Sequence, residues 1–257
     1  MTQGTNPPET HANNMTIGAP SRAILKFAIP LILGYLLQQM YLIIDAAIVG
    51  RWIGVGALAA VGASSIMFLI MGFCNGSCAG FAIPVAQAFG AGDYHKMRCY
   101  VSNALRIAVV LAVVITLLSC VLCDRILKLV NTPVDIFHDA YVFLFLQFCT
   151  IPFTIAYNLY AGQIRALGNS KQPFYFLIVS SLLNILLDVV LILGFRMGVE
   201  GAGIATFLSQ AFASWLCRRF IQLRMTMLVP RGNERAFDNK KISILLNNGV
   251  PMGLQFS

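Results

Sequence analysis

The sequence predicts an all-α integral membrane protein: a six-helix transmembrane bundle followed by the start of a seventh helix. Two observations predict it. First, the 257 residues are 58% hydrophobic and only 11% charged, with a mean hydropathy of +0.77. An average soluble domain is about half apolar and about a quarter charged. A water-soluble globule of this size would be left with a largely apolar surface. Second, the charges fall in short gaps between six long apolar segments. Together these features exclude a soluble enzyme and a disordered chain. They also turn the net charge of +8 away from a nucleic-acid partner, because no basic face is available to form one.

Residues 1–20 are polar and include Pro7 and Pro8. They lack the basic and apolar blocks of a signal peptide, so a disordered tail is expected. Residues 21–225 form the expected six-helix lobe. Its apolar segments run from Ile24 to Val49, Ala57 to Phe81, Tyr100 to Leu122, Ala140 to Ile164, Pro173 to Leu193 and Gly203 to Leu223. Each is long enough for a helix to cross a ~30 Å hydrocarbon core at ~1.5 Å per residue. In lipid the backbone groups must pair within the segment, which leaves helices, since no ten-residue alternation of a barrel appears. Pro30 and Pro152 fall inside the first and fourth helices and are expected to kink them. Gly72, Gly76 and Gly80 form a small-residue stripe on the second, suited to close packing inside the bundle. The seven cysteines lie in or beside apolar runs and read as small buried hydrophobes, Cys120 and Cys123 included.

Residues 226–241 make a basic linker, and 242–257 read as the truncated start of a second repeat. The text LLNNGVPM, Leu245 to Met252, resembles ILKFAIPL, Ile24 to Leu31, with Pro251 matching Pro30. A recurrence after six spans is the mark of an internally repeated transporter. Orientation follows from Lys and Arg placement. The N-terminal side and the even loops hold thirteen basic residues, among them Arg22, Lys26, Lys96, Arg98, Arg165 and Lys171. The odd loops hold Arg51, Arg125, Lys128 and Arg196. The N-terminus and the 226–241 linker are therefore expected to be cytoplasmic.

Among the ten acids only Asp45 and Asp188 fall inside spans. A charge at the bilayer centre costs at least ~2.5–3.5 kcal/mol, so such an acid is a functional-site hypothesis by default. Asp45 lies about four residues from the outer end of the first helix, and Asp188 about six residues before Gly194 on the fifth. At ~1.5 Å per residue both sit roughly 6–9 Å inside the outer boundary. Tyr41 and Asn184 each precede an acid by four residues and share its helix face. Gln38 lies nearly two turns below Asp45, and Thr206 lies at a matching depth on the sixth helix. Asn158, Gln163 and Gln210 are placed to line the same cavity. A cluster of carboxylates, an amide and a hydroxyl offers hard oxygen donors to Na⁺, or a place for a proton. Asp45, Asn184, Asp188 and Thr206 are thus the candidate coupling site, and the metal ligands if the ion is Na⁺. No phosphate loop, HExxH, GxSxG or metal-spaced Cys/His group appears, so neither an enzyme nor a bound cofactor is expected beyond the coupling ion.

The ordered pieces FAIPLILGYLLQQMYLIIDAAIVGRWIG (27–54), VAQAFGAGD (85–93), RALGNSKQP (165–173), NILLD (184–188) and GVEGAGIATFLSQ (198–210) are similar to the N-terminal half of a prokaryotic MATE (multidrug and toxic compound extrusion) transporter. The resemblance implies a plasma-membrane antiporter of two six-helix lobes. Such a protein exports small organic, often cationic drugs against H⁺ or Na⁺ and here needs a further C-terminal lobe. It also places Asp45, Asn184, Asp188 and Thr206 at an N-lobe cation or proton site, Tyr41 beside it, and Pro30 at a kinked position. A lipid-linked sugar or polysaccharide flippase, which should favour basic residues in its cavity, is the alternative transporter reading. A non-transporting membrane scaffold is the alternative of another class. The topology gives a first test. A membrane-impermeant label applied to intact cells should fail to reach tags placed in the tail and in 226–241; labelling of either reverses the orientation.

Overall fold

The computed structural model describes residues 20–52, 65–129 and 132–257. The tail, residues 53–64 and the side chains of Tyr41 and Asp45 lie outside the described residues. The elements are α1 (Pro20–Trp52), α2 (Ser65–Gly90), α3 (Tyr94–Leu129), α4 (Phe137–Ala166), α5 (Lys171–Asp188, prolonged by a π-helical turn Val189–Gly194), α6 (Gly198–Arg224) and α7 (Asn239–Phe256). All the described regular structure is helical. Both α1 and α4 continue as helix through Pro30 and Pro152.

Met67–Gly90, Tyr94–Leu129, Val134–Ala166 and Lys171–Gly194 are long and apolar enough to cross a membrane. The described apolar run of α1 is shorter, Ile24–Met40. At 27 residues α6 is long enough, but it is rich in Gly, Ala and Ser and carries charges at both ends, so length rather than hydropathy marks it. The stop signals are local. After α2, Gly92 adopts φ 73° and Asp93 N–H reaches back to the Ala88 carbonyl. Only a residue without a Cβ takes that left-handed turn without strain.

The core is built around α4, whose Phe148, Ile151, Ile155 and Leu159 are fully buried. On α3, Tyr100, Ala104, Ala108 and Ala112 recur every fourth residue and turn inward. The opposite face of α3, with Val110, Val114, Leu117 and Val121, is exposed and presents apolar surface to lipid. The glycine stripe of α2 packs against α7. A Cβ on Gly80 would lie 2.6 Å from the Gly249 Cα, and one on Gly76 2.9 Å from the Gly253 Cα. Those distances are below any real contact, so the two backbones approach only because the side chains are absent.

The linker is not a free tether. It folds into two 3-10 turns, Thr226–Leu228 and Gly232–Arg235, and is fastened to the start of α3. Arg98 holds Glu234 by two charge-assisted bonds, Nε to Oε2 and Nη2 to Oε1, both 2.6 Å. Glu234 Oε2 also accepts the Arg231 backbone N–H at 2.8 Å. Fully buried Asn103 donates to the Ala236 carbonyl at 3.5 Å and accepts the Asp238 N–H at 3.4 Å. Asp238 in turn caps α7 by accepting the Lys240 and Lys241 N–H groups.

The hydrogen bond from Arg98 holds the Glu234 carboxyl down at about 2, below its ordinary 4.5. A depressed carboxylate contributes stability that is fully present above its unfolded value and lost as pH falls through the folded one. The clamp should therefore be intact at pH 5–7 and weaken progressively between about pH 4.5 and 2. Arg98→Ala should cost about 1–3 kcal/mol, since it leaves the buried Glu234 carboxylate unpaired, and Glu234→Ala less, since Arg98 is only partly buried and can be met by water. Exchange of the two, Arg98→Glu with Glu234→Arg, should recover part of that. Thermal unfolding and protease cleavage within 226–238 are the readouts.

Candidate functional site

Two polar regions lie inside the bundle, at different levels. The first joins α5 to α6. Asn184, Asp188 and Thr206 are all buried, Asp188 completely. Asn184 and Asp188 share a face of α5 one turn apart. With its amide oriented as the neighbouring donors and acceptors require, Asn184 Nδ2 donates to Asp188 Oδ2 at 3.0 Å. Its carbonyl oxygen accepts the Thr206 backbone N–H at 3.2 Å. Glycines set α6 close to both of its neighbours, Gly203 to α4 and Gly201 to the π turn of α5. A Cβ on Gly203 would sit 2.7 Å from Leu146 Cδ1, and one on Gly201 3.2 Å from Leu191 Cβ. Around Thr206 the hydroxyls turn to their own helix: Thr206 Oγ1 donates to the Ala202 carbonyl and Ser209 Oγ to the Thr206 carbonyl.

The π-helical turn begins directly after Asp188. Such turns insert an extra residue into a helix and are frequent at functional sites. The following reversal needs left-handed backbone at Arg196 (φ 54°) and Gly198 (φ 59°). Helix α1 packs along α5, so Asp45 and Tyr41 belong to the helix neighbouring Asp188, although their side chains lie outside the described residues.

For a sodium ion the fit is partial. The Asp188 carboxylate and the Thr206 hydroxyl are hard oxygen donors. The Asn184 oxygen, however, is turned to a backbone N–H, and its amide nitrogen faces the acid. In this orientation the amide steadies a carboxylate rather than completing a cation cage. Among the described residues no three His, Cys, Asp or Glu side chains gather as metal ligands.

The second region is a cavity of about 420 Å³ between α1, α2, α4 and α5. Gln38 and Asn158 line it; Asn184, Asp188, Thr206 and Gln210 are not among its described lining residues. The single cavity expected for all of these is thus replaced by two regions. The reason is helix direction. Gln38 lies near the middle of α1 and Asn158 in the last third of α4, and Arg165, Ser170 and Phe174 carry the cavity toward the basic end. Along α5, Leu177 in the cavity and Asp188 are eleven residues apart, roughly 16 Å of helix. Gln210 sits one turn past Thr206 on α6, partly buried. Gln163 is buried on α4. Pro30 lines the cavity, and Pro152 lies on α4 among partly buried residues. Sequence reasoning missed Asn75, whose Oδ1 accepts from Asn158 Nδ2 at 2.8 Å. An amide inside the Gly/Cys-rich run of α2 was the available signal. It also missed Arg165 as a lining residue, having counted it only as a loop charge.

The comparisons agree with this architecture. A model of the MatE family matches residues 30–190. The chain is 32% identical over 241 residues to the probable multidrug resistance protein YoeA of Bacillus subtilis, covering 91% of this chain and 52% of that protein. It is 27% identical to the DNA damage-inducible protein F of Escherichia coli, covering 83% and 49%. The chain spans about half the length of the curated relatives it matches. Among solved structures, a MATE in the bent conformation superposes with a TM-score of 0.85 at 23% identity, over 92% of this chain and 53% of that one. An outward-facing multidrug resistance MATE family transporter superposes with a TM-score of 0.88, over 95% and 55%. These structural likenesses establish a shared fold. By the family match, the chain belongs to the MatE family of membrane transporters, and it is a multi-pass membrane protein.

The amide pair in the cavity gives a direct test. Asn75→Leu or Asn158→Leu should each cost about 1 kcal/mol, because the amide–amide hydrogen bond is lost while Asn158 Nδ2 keeps its bond to the Thr154 carbonyl. The double substitution should be milder than the sum, since it removes both partners. Thermal unfolding in detergent, read as a double-mutant cycle, measures the difference.

Proposed function

We propose that this chain is one lobe of a secondary antiporter that exports small organic drugs or toxins from the cytoplasm, driven by an inward ion gradient. A second six-helix lobe supplies the other wall of the pathway, because alternating access needs one repeat to rock against another. The basic end of the bundle faces the cytoplasm, and the host membrane is the plasma membrane. The observation that carries the reading is the buried Asn184–Asp188–Thr206 cluster, an acid held completely out of solvent inside a span. An intramembrane carboxylate marks an ion or proton pathway rather than a fold requirement. The Asn184 N–H faces an ionised Asp188 carboxylate, a group that can take up either H⁺ or Na⁺; H⁺ is the ion tested first. Asp45, on the neighbouring helix, completes the site as the second acid.

The family resemblance implies often cationic cargo. Asp188 lies on the half of the lobe away from the basic end, whereas the described lining of the cavity carries a positive charge. That observation keeps a second reading in view, transport of a lipid-like or otherwise anionic compound.

In vesicles bearing the transporter as the cell makes it, Asp188→Asn should lower drug-induced proton flux at least ~10-fold with expression unchanged, since neutralising a buried acid relieves desolvation. Asn184→Ala should reduce it less, removing a neutral partner. Asp45→Asn combined with Asp188→Asn should be no worse than either alone, as residues acting as a unit are non-additive. Flux that follows a sodium gradient instead would replace the proton. Wild-type coupling in Asp188→Asn would remove the site.

A further inference from the structure

The cavity between α1, α2, α4 and α5 holds a charge that ion coupling does not use. Arg165 lies on its wall, partly buried, in the last turn of α4. Its Nε donates to the Ala161 carbonyl at 3.1 Å, and among the described residues no carboxylate pairs with its guanidinium. Arg98 shows the contrast, with its guanidinium committed to Glu234. An arginine set against low-dielectric surroundings without a counter-ion attracts an anion, and its planar fork matches carboxylate or phosphate oxygens.

The rest of the wall is suited to an apolar body. Phe27, Phe174 and Leu177 form a hydrophobic flank, and the Asn75–Asn158 pair supplies neutral polar contacts at the deep end. No acid occurs among the described lining residues. A volume of about 420 Å³ is within the range that holds drug-sized ligands. Cations are disfavoured by the charge, and fully polar solutes by the aromatic flank.

We propose that this cavity is a loading site for an amphiphile with an apolar body and one anionic head, the head at Arg165 and the body against Phe27 and Phe174. The inference deepens the exporter reading by naming the class of cargo, and it rests on that reading only in calling the occupant cargo. An organic acid from solution and an anionic lipid from the leaflet share this chemistry.

The test is equilibrium binding to the transporter purified as the cell makes it, in neutral detergent, with three fluorescent probes of one length: dansyl-labelled undecanoic acid, its primary amide and its quaternary ammonium analogue. The acid should bind about tenfold tighter than the amide, and the ammonium probe weakest. Arg165→Gln should erase the preference of acid over amide, while Arg165→Lys should keep part of it, a point charge without the fork. Phe174→Ala should weaken acid and amide alike. The wild-type comparison needs no variant, so a poorly folding Arg165→Gln leaves the proposal falsifiable. Repeated in nanodiscs, displacement of the acid by phosphatidylglycerol but not phosphatidylcholine identifies a lipid source; no displacement by either identifies a soluble organic acid. Equal binding of the three probes, tightest binding of the ammonium probe, or an unchanged preference in Arg165→Gln would overturn the proposal. No ion gradient enters the measurement, so its failure and the failure of ion coupling are separately visible.

Discussion

Inside a bilayer, helices gain little from hiding apolar side chains from one another, because lipid is as apolar as leucine. Close backbone approach must supply the cohesion, and this lobe is assembled from positions where side chains are missing. Gly76 and Gly80 admit the backbone of α7 at Gly253 and Gly249. Gly203 admits Leu146 of α4, and the alanines of α3 do the same less tightly. On α3 the large apolar side chains are left for lipid: Val110, Leu117 and Val121 face outward while Ala104 and Ala108 are buried, and the large interior side chains come from α4, with Phe148, Ile151 and Ile155. The polar exterior of a soluble protein is absent from that face of α3.

The same close approach determines where polar chemistry can exist. Asn184 reaches a backbone N–H on another helix where Gly201 lets the start of α6 lie against Leu191 in the π turn that prolongs α5. Bulkier residues there would hold α6 away and leave the Asn184 oxygen unmet. At the basic end the logic reverses. Water and loops are available, and a bidentate ion pair, Arg98 with Glu234, does the fastening that glycine does within the span. Fastened by both devices, α7 joins the lobe through α2 along its length and through the linker at its start.

Much of the fold was legible in the sequence because the bilayer sets a length scale. Six apolar runs separated by charges correspond to α1–α6, with ends differing by a few residues where helices project beyond the apolar stretch, as α3 does from Tyr94 to Leu129. The sixth helix was legible by length and position rather than by hydropathy. Asn184, Asp188 and Thr206 were legible as a set, since an acid, an amide one turn before it and a hydroxyl at the same depth each stand out against an apolar background. The division of the polar residues into two regions was not. Gln38, Asn158 and Gln210 carry no mark of which neighbour they will meet, and Arg165 looked like a topology charge. Helix rotation about its own axis decides such matters, and no residue pattern within one helix reports it.

The separation of the two regions constrains any coupling between them. The acid and the cavity lie at different levels of one lobe, roughly 16 Å apart along α5 by the helix rise between Leu177, on the cavity wall, and Asp188. They do not compete for one contact, so a change at Asp188 must reach the cavity through something rigid that touches both. Helix α5 qualifies: its Phe174 and Leu177 line the cavity, its Asp188 bonds Asn184, and its π turn starts at the next residue. Helix α1 qualifies as well, packing along α5 and lining the cavity with Phe27, Pro30 and Gln38. Pro30 leaves α1 one backbone hydrogen bond short beside the cavity, and the π turn leaves α5 irregular beside the acid. Each of the two shared helices therefore has one compliant point near one of the two regions. A rigid rod with a soft joint can convert a local change in charge into a displacement elsewhere without unfolding the glycine contacts that hold the lobe together.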